Sequence, residues 1–232
     1  MLHLQLRSNW LAVIQAGDVG SVISRFMAKK YGPTRCTAYH INTPAPTEPD
    51  AATHPALHAK IRSTPLTSSE KKGLARAAHF SSDGFGYYKQ QSTKPRTIGY
   101  SFRDSPVGLL AWIYEKMHEW SDNYQWTDDE ILTWVSIQYF STPGPEAASS
   151  VYYAMEHSQP TAFAAAAAYV DVPLGISRFV NDLVSLPKLW NQSLGPIIFE
   201  SEHEAGGHFA AWERPDAIIT DLRNMFRKNG GQ

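Results

Sequence analysis

The sequence predicts an α/β fold, and three observations carry that prediction. A short apolar run, Trp10 to Ala16, meets a turn of small residues and passes into apolar positions at helical spacing. A second strand-like stretch, Cys36 to Asn42, follows, so the opening reads as a βαβ unit of the kind that builds a parallel sheet. Strand periodicity then returns after Tyr169, once a long helical stretch has passed.

Each element has its own signal. Val22, Ile23, Phe26 and Met27 set the apolar face of the first helix, which stops at Tyr31-Gly32-Pro33. From Thr43 to about Ser69 the chain is rich in Pro, Thr and Ala and reads as an excursion away from the sheet. Ser105-Pro106 starts a helix whose stripe is Leu109, Leu110, Ile113 and Met117, with proline in the first turn where its missing N–H costs nothing. Thr127 with Glu130 three residues on is a capping box ahead of Ile131, Leu132, Val135 and Ile137. The alanine-rich patch at 163–170 is expected to be a buried packing element leading into a strand. Val170-Asp171-Val172-Pro173 and Pro196-Ile197-Ile198-Phe199 are the next expected strands, and an amphipathic helix over Ala217 to Lys228 closes the chain. The expected division is therefore sheet domain at 1–45, helical lid at 46–160, and the end of the same sheet at 161–232.

Composition narrows the function classes. With 43% apolar and 19% charged residues, the 232-residue chain falls in the soluble globular range. Lys+Arg of 21 against Asp+Glu of 22 leaves a net charge of −1, so no global positive field would hold a nucleic-acid backbone, and a small or neutral partner is more natural. The apolar runs are shorter than the roughly 20 residues that span a bilayer, and the amino end lacks a signal-peptide layout. A lone cysteine, Cys36, cannot pair within the chain and fits a reducing compartment, which makes the cytoplasm the expected location.

Several residues could carry chemistry. Ala16-Gly17-Asp18-Val19-Gly20-Ser21 has the small-x-nucleophile-x-small pattern of a strained strand-to-helix turn that exposes one side chain. Here that side chain is a carboxylate, already ionised at pH 7 and able to attack carbon without a base; equally, Asp18 could simply cap the following helix. His203 and His208 are five residues apart with two glycines between them, so they cannot share one helical face as a zinc motif requires, and no metal is expected. His208 on a loop after a strand is the better candidate for a catalytic base. Asp182 or Asp171 could orient it, and both also read as a cap or a solvated charge. Lid tyrosines, notably Tyr87-Tyr88 and Tyr152-Tyr153, could donate to an oxygen anion, although most lid aromatics should be lining or core.

Taken together these residues resemble the α/β-hydrolase-fold epoxide hydrolases, in particular the branch related to microsomal and fungal enzymes. The resemblance covers most of the chain. It rests on Gly17-Asp18-Val19-Gly20-Ser21, the stretch from Gln91 to Tyr100, the stretch from Asp104 to Ile113, and Gly206-Gly207-His208-Phe209-Ala210-Ala211-Trp212-Glu213-Arg214-Pro215, in that order.

The resemblance implies an α/β-hydrolase fold with a helical lid inserted in the sheet domain, and assigns roles residue by residue. Asp18 is then the nucleophile, His208 the base, and Asp182, about two dozen residues before it in a Phe-x-x-Asp-Leu stretch, the charge-relay acid. Two lid tyrosines hold the epoxide oxygen: Tyr87, ahead of Gln91-Ser92-Thr93, and Tyr153, with Tyr152 as the substitute. The N–H of Val19 serves the oxyanion, and neither metal nor cofactor is required. The implied substrate is a small-molecule epoxide, opened through an ester on Asp18 to a vicinal diol. Related enzymes carry several strands and a His-Gly-x-Pro loop ahead of the elbow, whereas here Asp18 is the eighteenth residue and that motif is absent, so the fold is expected to be amino-terminally truncated. Two further readings follow: a non-catalytic fragment or interaction protein, and a dehalogenase, which the tyrosine pair disfavours.

Overall fold

The computed structural model describes residues 12–227; Trp10, Leu11 and Lys228, at the outer ends of two expected elements, lie outside the described residues. Strand β1 (Ala12–Ala16) leads through a tight turn into helix α1 (Asp18–Tyr31), and β2 (Cys36–Ile41) lies parallel beside β1. The strand, turn and helix therefore form where the small-residue pattern places them. After the connections that follow, β3 (Leu174–Phe179) and β4 (Ile197–His203) extend the sheet in the order β1-β2-β3-β4, every pair parallel.

Between β2 and β3 come α2 (Pro55–Ser63), α3 (Ser68–His79), a π-helical turn at Phe80–Gly84, α4 (Gly86–Thr93), α5 (Pro95–Asp104), α6 (Pro106–Glu119), α7 (Asp128–Tyr139), α8 (Ala147–His157) and α9 (Ala162–Ala167). The expected caps close: the Ser105 hydroxyl accepts from the Gly108 N–H, and Thr127 and Glu130 complete a reciprocal box. The apolar stripe of α6 buries Leu109 and Met117, and that of α7 buries Ile131 and Val135. Helix α2 falls inside the stretch read as an irregular excursion. None of its residues is buried, so no periodic apolar stripe announced it. Beyond β4 the chain ends in α10 (Ala210–Glu213) and α11 (Pro215–Phe226).

One expected strand is displaced. Val170 to Pro173 is not a strand; β3 begins at Leu174. The carbonyls of Ala166 and Ala168 accept from the buried Arg25 guanidinium, which also donates to the Tyr39 hydroxyl, and the Val170 N–H goes to the carbonyl of Leu194. Pro173 has no N–H to give, so the ladder starts after it. Every residue of β3 is buried, including Ser177 and Arg178, because a central parallel strand is covered on both faces and shows no alternation.

The core beneath the sheet gathers Ala28, Tyr39, Ile41, Val172, Leu174 and Ile176. Complete burial of an aliphatic side chain such as Leu174 or Ile176 contributes about 1.5–3 kcal/mol relative to exposure. A second cluster joins Val22 of α1 to Met155 of α8 and to Ala162 and Ala166 of α9. These contacts place α8, and with it Tyr152, beside the start of α1. The alanine-rich patch is only in part the buried element expected, since Phe163, Ala164 and Tyr169 are exposed.

Candidate active site

Three acid–base side chains meet where parallel strands end, the edge at which open α/β sheets place ligands. Asp18 follows β1, Asp182 follows β3 and His208 follows β4. Asp18 has φ +47°, a left-handed conformation that costs a non-glycine residue roughly 1–3 kcal/mol. Neighbours over-determine it: the Asp18 N–H donates to the Thr43 hydroxyl at 3.1 Å, and the Asn42 N–H donates to the Ala16 carbonyl. A Cβ on Gly17 would lie 2.8 Å from the Asn42 amide, so the turn needs glycine there. No side chain caps α1, and the Asp18 carboxylate points at the imidazole of His208, Oδ1 to Nε2 3.7 Å. Of the two readings the sequence left open, the cap is therefore not what forms. The N–H of Val19, in the first turn of α1, belongs to the donors that lack an intrahelical acceptor.

His208 Nδ1 lies 2.8 Å from Asp182 Oδ1. An ionised carboxylate only accepts, so Nδ1 carries the proton and Nε2 turns its lone pair toward Asp18 when the ring is neutral. Both partners of the pair are buried, whereas the Asp18 side chain is 59% exposed. Burial of the ring opposes its charge, but the Asp182 hydrogen bond, together with the charges of Asp182, Asp18 and Glu213, overcomes this and raises the pKa of His208 above the ordinary value. Asp182 also accepts the Leu183 N–H at 2.7 Å, which fixes its rotamer. Asp171 is exposed ahead of β3, at the far end of that strand, and takes no part. His203 is engaged elsewhere, Nε2 2.6 Å from Asp221, with its ring stacked on Phe179.

The charge of the same carboxylate reaches Tyr87 and Tyr152. Their rings meet edge to face at 5.8 Å. Burial pushes the Tyr152 phenol up to about 12, and the Asp18 charge adds to it; Tyr87 is raised further by burial, by Tyr152 and by Asp18. Both phenols are therefore protonated donors at neutral pH. Tyr153 is not part of this group. It is 44% exposed and stacks on His157 at 4.0 Å. Successive residues on a helix point about 100° apart, so only one of the pair can face the site. The roll of the helix decides which: Ser149 and Met155 are the buried positions of α8, and Tyr152 stands three residues from each.

Both tyrosines line a cavity of about 220 Å³ whose wall also includes Trp112, Trp120, Trp134 and Phe209 beside aliphatic and polar side chains. Gln91, buried beneath it, accepts from Ser149 at 3.1 Å and steadies the Tyr152 side of the wall. The sequence reading missed Trp120, Asp122 and Glu213. The Trp120 ring stands edge-on to the His208 ring at 5.2 Å, and its carbonyl accepts the His208 N–H. The cavity lining includes both phenols but neither Asp18 nor His208; a carboxylate beside an oriented imidazole, with phenol donors near it, is a set of groups that can perform nucleophilic displacement followed by hydrolysis.

No protein-family model matches the chain. Among curated proteins it is 32% identical over 227 residues to one of Stigmatella aurantiaca named "Putative epoxide hydrolase", covering 95% of this chain and 47% of that one. It is 34% identical over 154 residues to epoxide hydrolase 1 of Sus scrofa, covering 60% of this chain and 33% of the relative. Among solved structures, the epoxide hydrolase of Aspergillus niger superposes with a TM-score of 0.74 at 34% identity, over 93% of this chain and 51% of that one. The juvenile hormone epoxide hydrolase of the silkworm Bombyx mori gives a TM-score of 0.78 at 26% identity, over 93% and 54%. The chain thus spans about half the length of the relatives it matches. Among the described residues no helix is long and apolar enough to cross a membrane.

Proposed function

Because the chain belongs to the epoxide hydrolases of the α/β-hydrolase fold, over about half of their length, we propose that it acts on a small epoxide through an ester on Asp18. The observation that carries this reading is the meeting of Asp18 with the His208–Asp182 pair, with the Tyr87 and Tyr152 phenols near enough for the Asp18 charge to raise both.

In the first step Asp18 Oδ attacks an epoxide carbon and the C–O bond breaks. Tyr87 and Tyr152 donate hydrogen bonds to the departing oxygen, and one of them passes it a proton. Their raised pKa values keep the phenols protonated until that oxygen, a far stronger base, forms. In the second step neutral His208 takes a proton from water at Nε2, and the hydroxide adds to the Asp18 carbonyl carbon. Asp182 stabilises the resulting imidazolium, and the Val19 N–H meets the tetrahedral oxyanion. Collapse expels the diol as its alkoxide, which takes the proton of the new carboxylic acid, and the imidazolium returns its proton to the phenolate, so a vicinal diol leaves and the Asp18 carboxylate, neutral His208 and both phenols are restored.

Diol formation from styrene oxide by the intact chain, beside Asp18→Asn, tests the reading. A single turnover in ¹⁸O water should leave the label on Asp18, because the new diol oxygen comes from its carboxylate. Equal rates for parent and variant would remove the enzymatic reading in favour of a non-catalytic module, to which the exposed Asp18 side chain and the half-length match lend support. Halide release without epoxide opening, indifferent to the phenols, would identify a dehalogenase instead.

A further inference from the structure

The loop that carries His208 belongs to no strand or helix, yet four successive backbone amides each find an acceptor. The Gly206 N–H donates to Asp122 Oδ2 at 2.8 Å, and the Gly207 N–H to Glu213 Oε2 at 3.2 Å. The His208 N–H donates to the Trp120 carbonyl at 2.8 Å, and the Phe209 N–H to Glu213 Oε1 at 3.1 Å. Glu213 Oε2 accepts a further bond, from the Asp122 N–H at 2.7 Å. One carboxylate thus holds the amides on both sides of His208 and an amide of the segment that follows α6. The approach is close throughout: a Cβ on Gly207 would lie 2.5 Å from the Trp120 oxygen and 2.8 Å from the Asp122 nitrogen. Within α10 only the bond from the N-cap Phe209 N–H to Glu213 is local; the bonds from Gly207 and Asp122 reach outside that single turn.

We infer that Glu213 is a positioning residue for the base: its carboxylate registers the His208 loop against residues 120–122 so that Nε2 faces Asp18. This inference rests on the proposed epoxide-opening reaction for its kinetic consequence and on the amide geometry for its structural one. Glutamine is isosteric but offers one acceptor oxygen and one amino donor. Whichever way it turns, at least one of the three amides now held would meet a donor. Aspartate keeps the charge and both acceptors on a shorter stem.

The test uses the intact chain with Glu213→Gln and Glu213→Asp and three readouts. In Glu213→Gln, amide hydrogen exchange at 206–209 should quicken by at least about tenfold. The charged groups facing His208 are Asp182, Asp18 and Glu213, so losing one negative charge should move the NMR titration of the ring down by at least about half a pH unit. Breakdown of the Asp18 ester should slow by about tenfold or more while its formation stays within about twofold, since only the second step uses the base. Glu213→Asp should restore the titration and recover part of the protection; if the glutamine variant does not fold, the readout is the quickening of exchange at 206–209 that remains in Glu213→Asp, and parent-like exchange there overturns the inference. Unchanged exchange and titration would overturn the inference, as would an equal fall in both half-reactions or no change in ester breakdown. A parent chain that forms no ester would sink the proposed reaction alone, because exchange and titration still decide the role of Glu213.

Discussion

Replacing Tyr152 by Phe removes one O–H from the pair near Asp18 and keeps the ring, its burial and its 5.8 Å edge contact with Tyr87. What is lost is one hydrogen bond to an oxygen acquiring negative charge, donated by a phenol that is itself largely buried. Such bonds are worth about 1.5–3 kcal/mol, and at about 1.4 kcal/mol per decade the rate of ester formation should fall about 10- to 150-fold. Tyr153→Phe removes the same atom from an exposed ring stacked on His157, where a surface change is worth at most about 0.5 kcal/mol, or about twofold. Rapid-quench single turnovers with mass detection of the Asp18 adduct read the step directly. If Tyr153→Phe slowed it as much as Tyr152→Phe, or if Tyr152→Phe left it unchanged, the assignment of the second phenol from the face of α8 would be wrong.

The NMR titration of His208 in the free protein should have a midpoint above the ordinary 6.5, and hydrolysis of the ester should rise with pH at a lower midpoint, because only the neutral ring can take a proton from water and the esterified Asp18 no longer adds its charge; a free-protein midpoint below 6.5 would contradict the effect of Asp182. Asp182→Asn should lower that midpoint. A raised histidine pKa stabilises the fold fully below its unfolded value and loses that contribution as pH rises through the folded one, so the variant's deficit in Tm should be largest below about pH 6.5 and shrink above it. Asp221, which burial would raise, is held below its ordinary pKa by bonds from Ser177, Ser201 and His203; its contribution is present above about pH 4 and lost as pH falls through the lowered value. Asp221→Ala leaves those donors buried and should cost about 2–4 kcal/mol in denaturant unfolding near pH 7, with little loss near pH 2. Gly207→Ala forces the His208 loop away from the Trp120 carbonyl and should abolish ester breakdown while the far-UV spectrum is retained; normal turnover would show that the loop is free to shift.

Local chemistry made much of the molecule legible in the chain. Small residues at Gly17 and Gly20 around one carboxylate announced the strained turn, because few other sequences tolerate a backbone at φ +47° so close to a neighbouring strand. The caps at Ser105 and Thr127 announced two lid helices, since their hydroxyls satisfy amides within three residues. Patterns failed where long-range partners decided the outcome. Helix α2 buries nothing and so left no stripe, and β3 is buried on both faces and so showed no alternation. The stretch before β3 was claimed by Arg25, a residue about 140 positions earlier in the chain.

The same division runs through the site. Asp18, Asp182 and His208 could be nominated from turn chemistry, spacing and resemblance, because each sits beside residues that mark a strand's end. Which of two adjacent tyrosines stands near Asp18 depends on how α8 is rolled against α1 and α9, a packing outcome of Val22, Met155, Ala162 and Ala166. The clamp made by Glu213 depends on bringing residues 120–122 against residues 206–209, more than eighty positions apart. A sequence states what a residue can do within a turn or two of itself, whereas hydrogen bonds and packing act over a few ångströms and are indifferent to distance along the chain. The candidate nucleophile and base were therefore written locally, and the geometry that aims them was decided only when the chain folded.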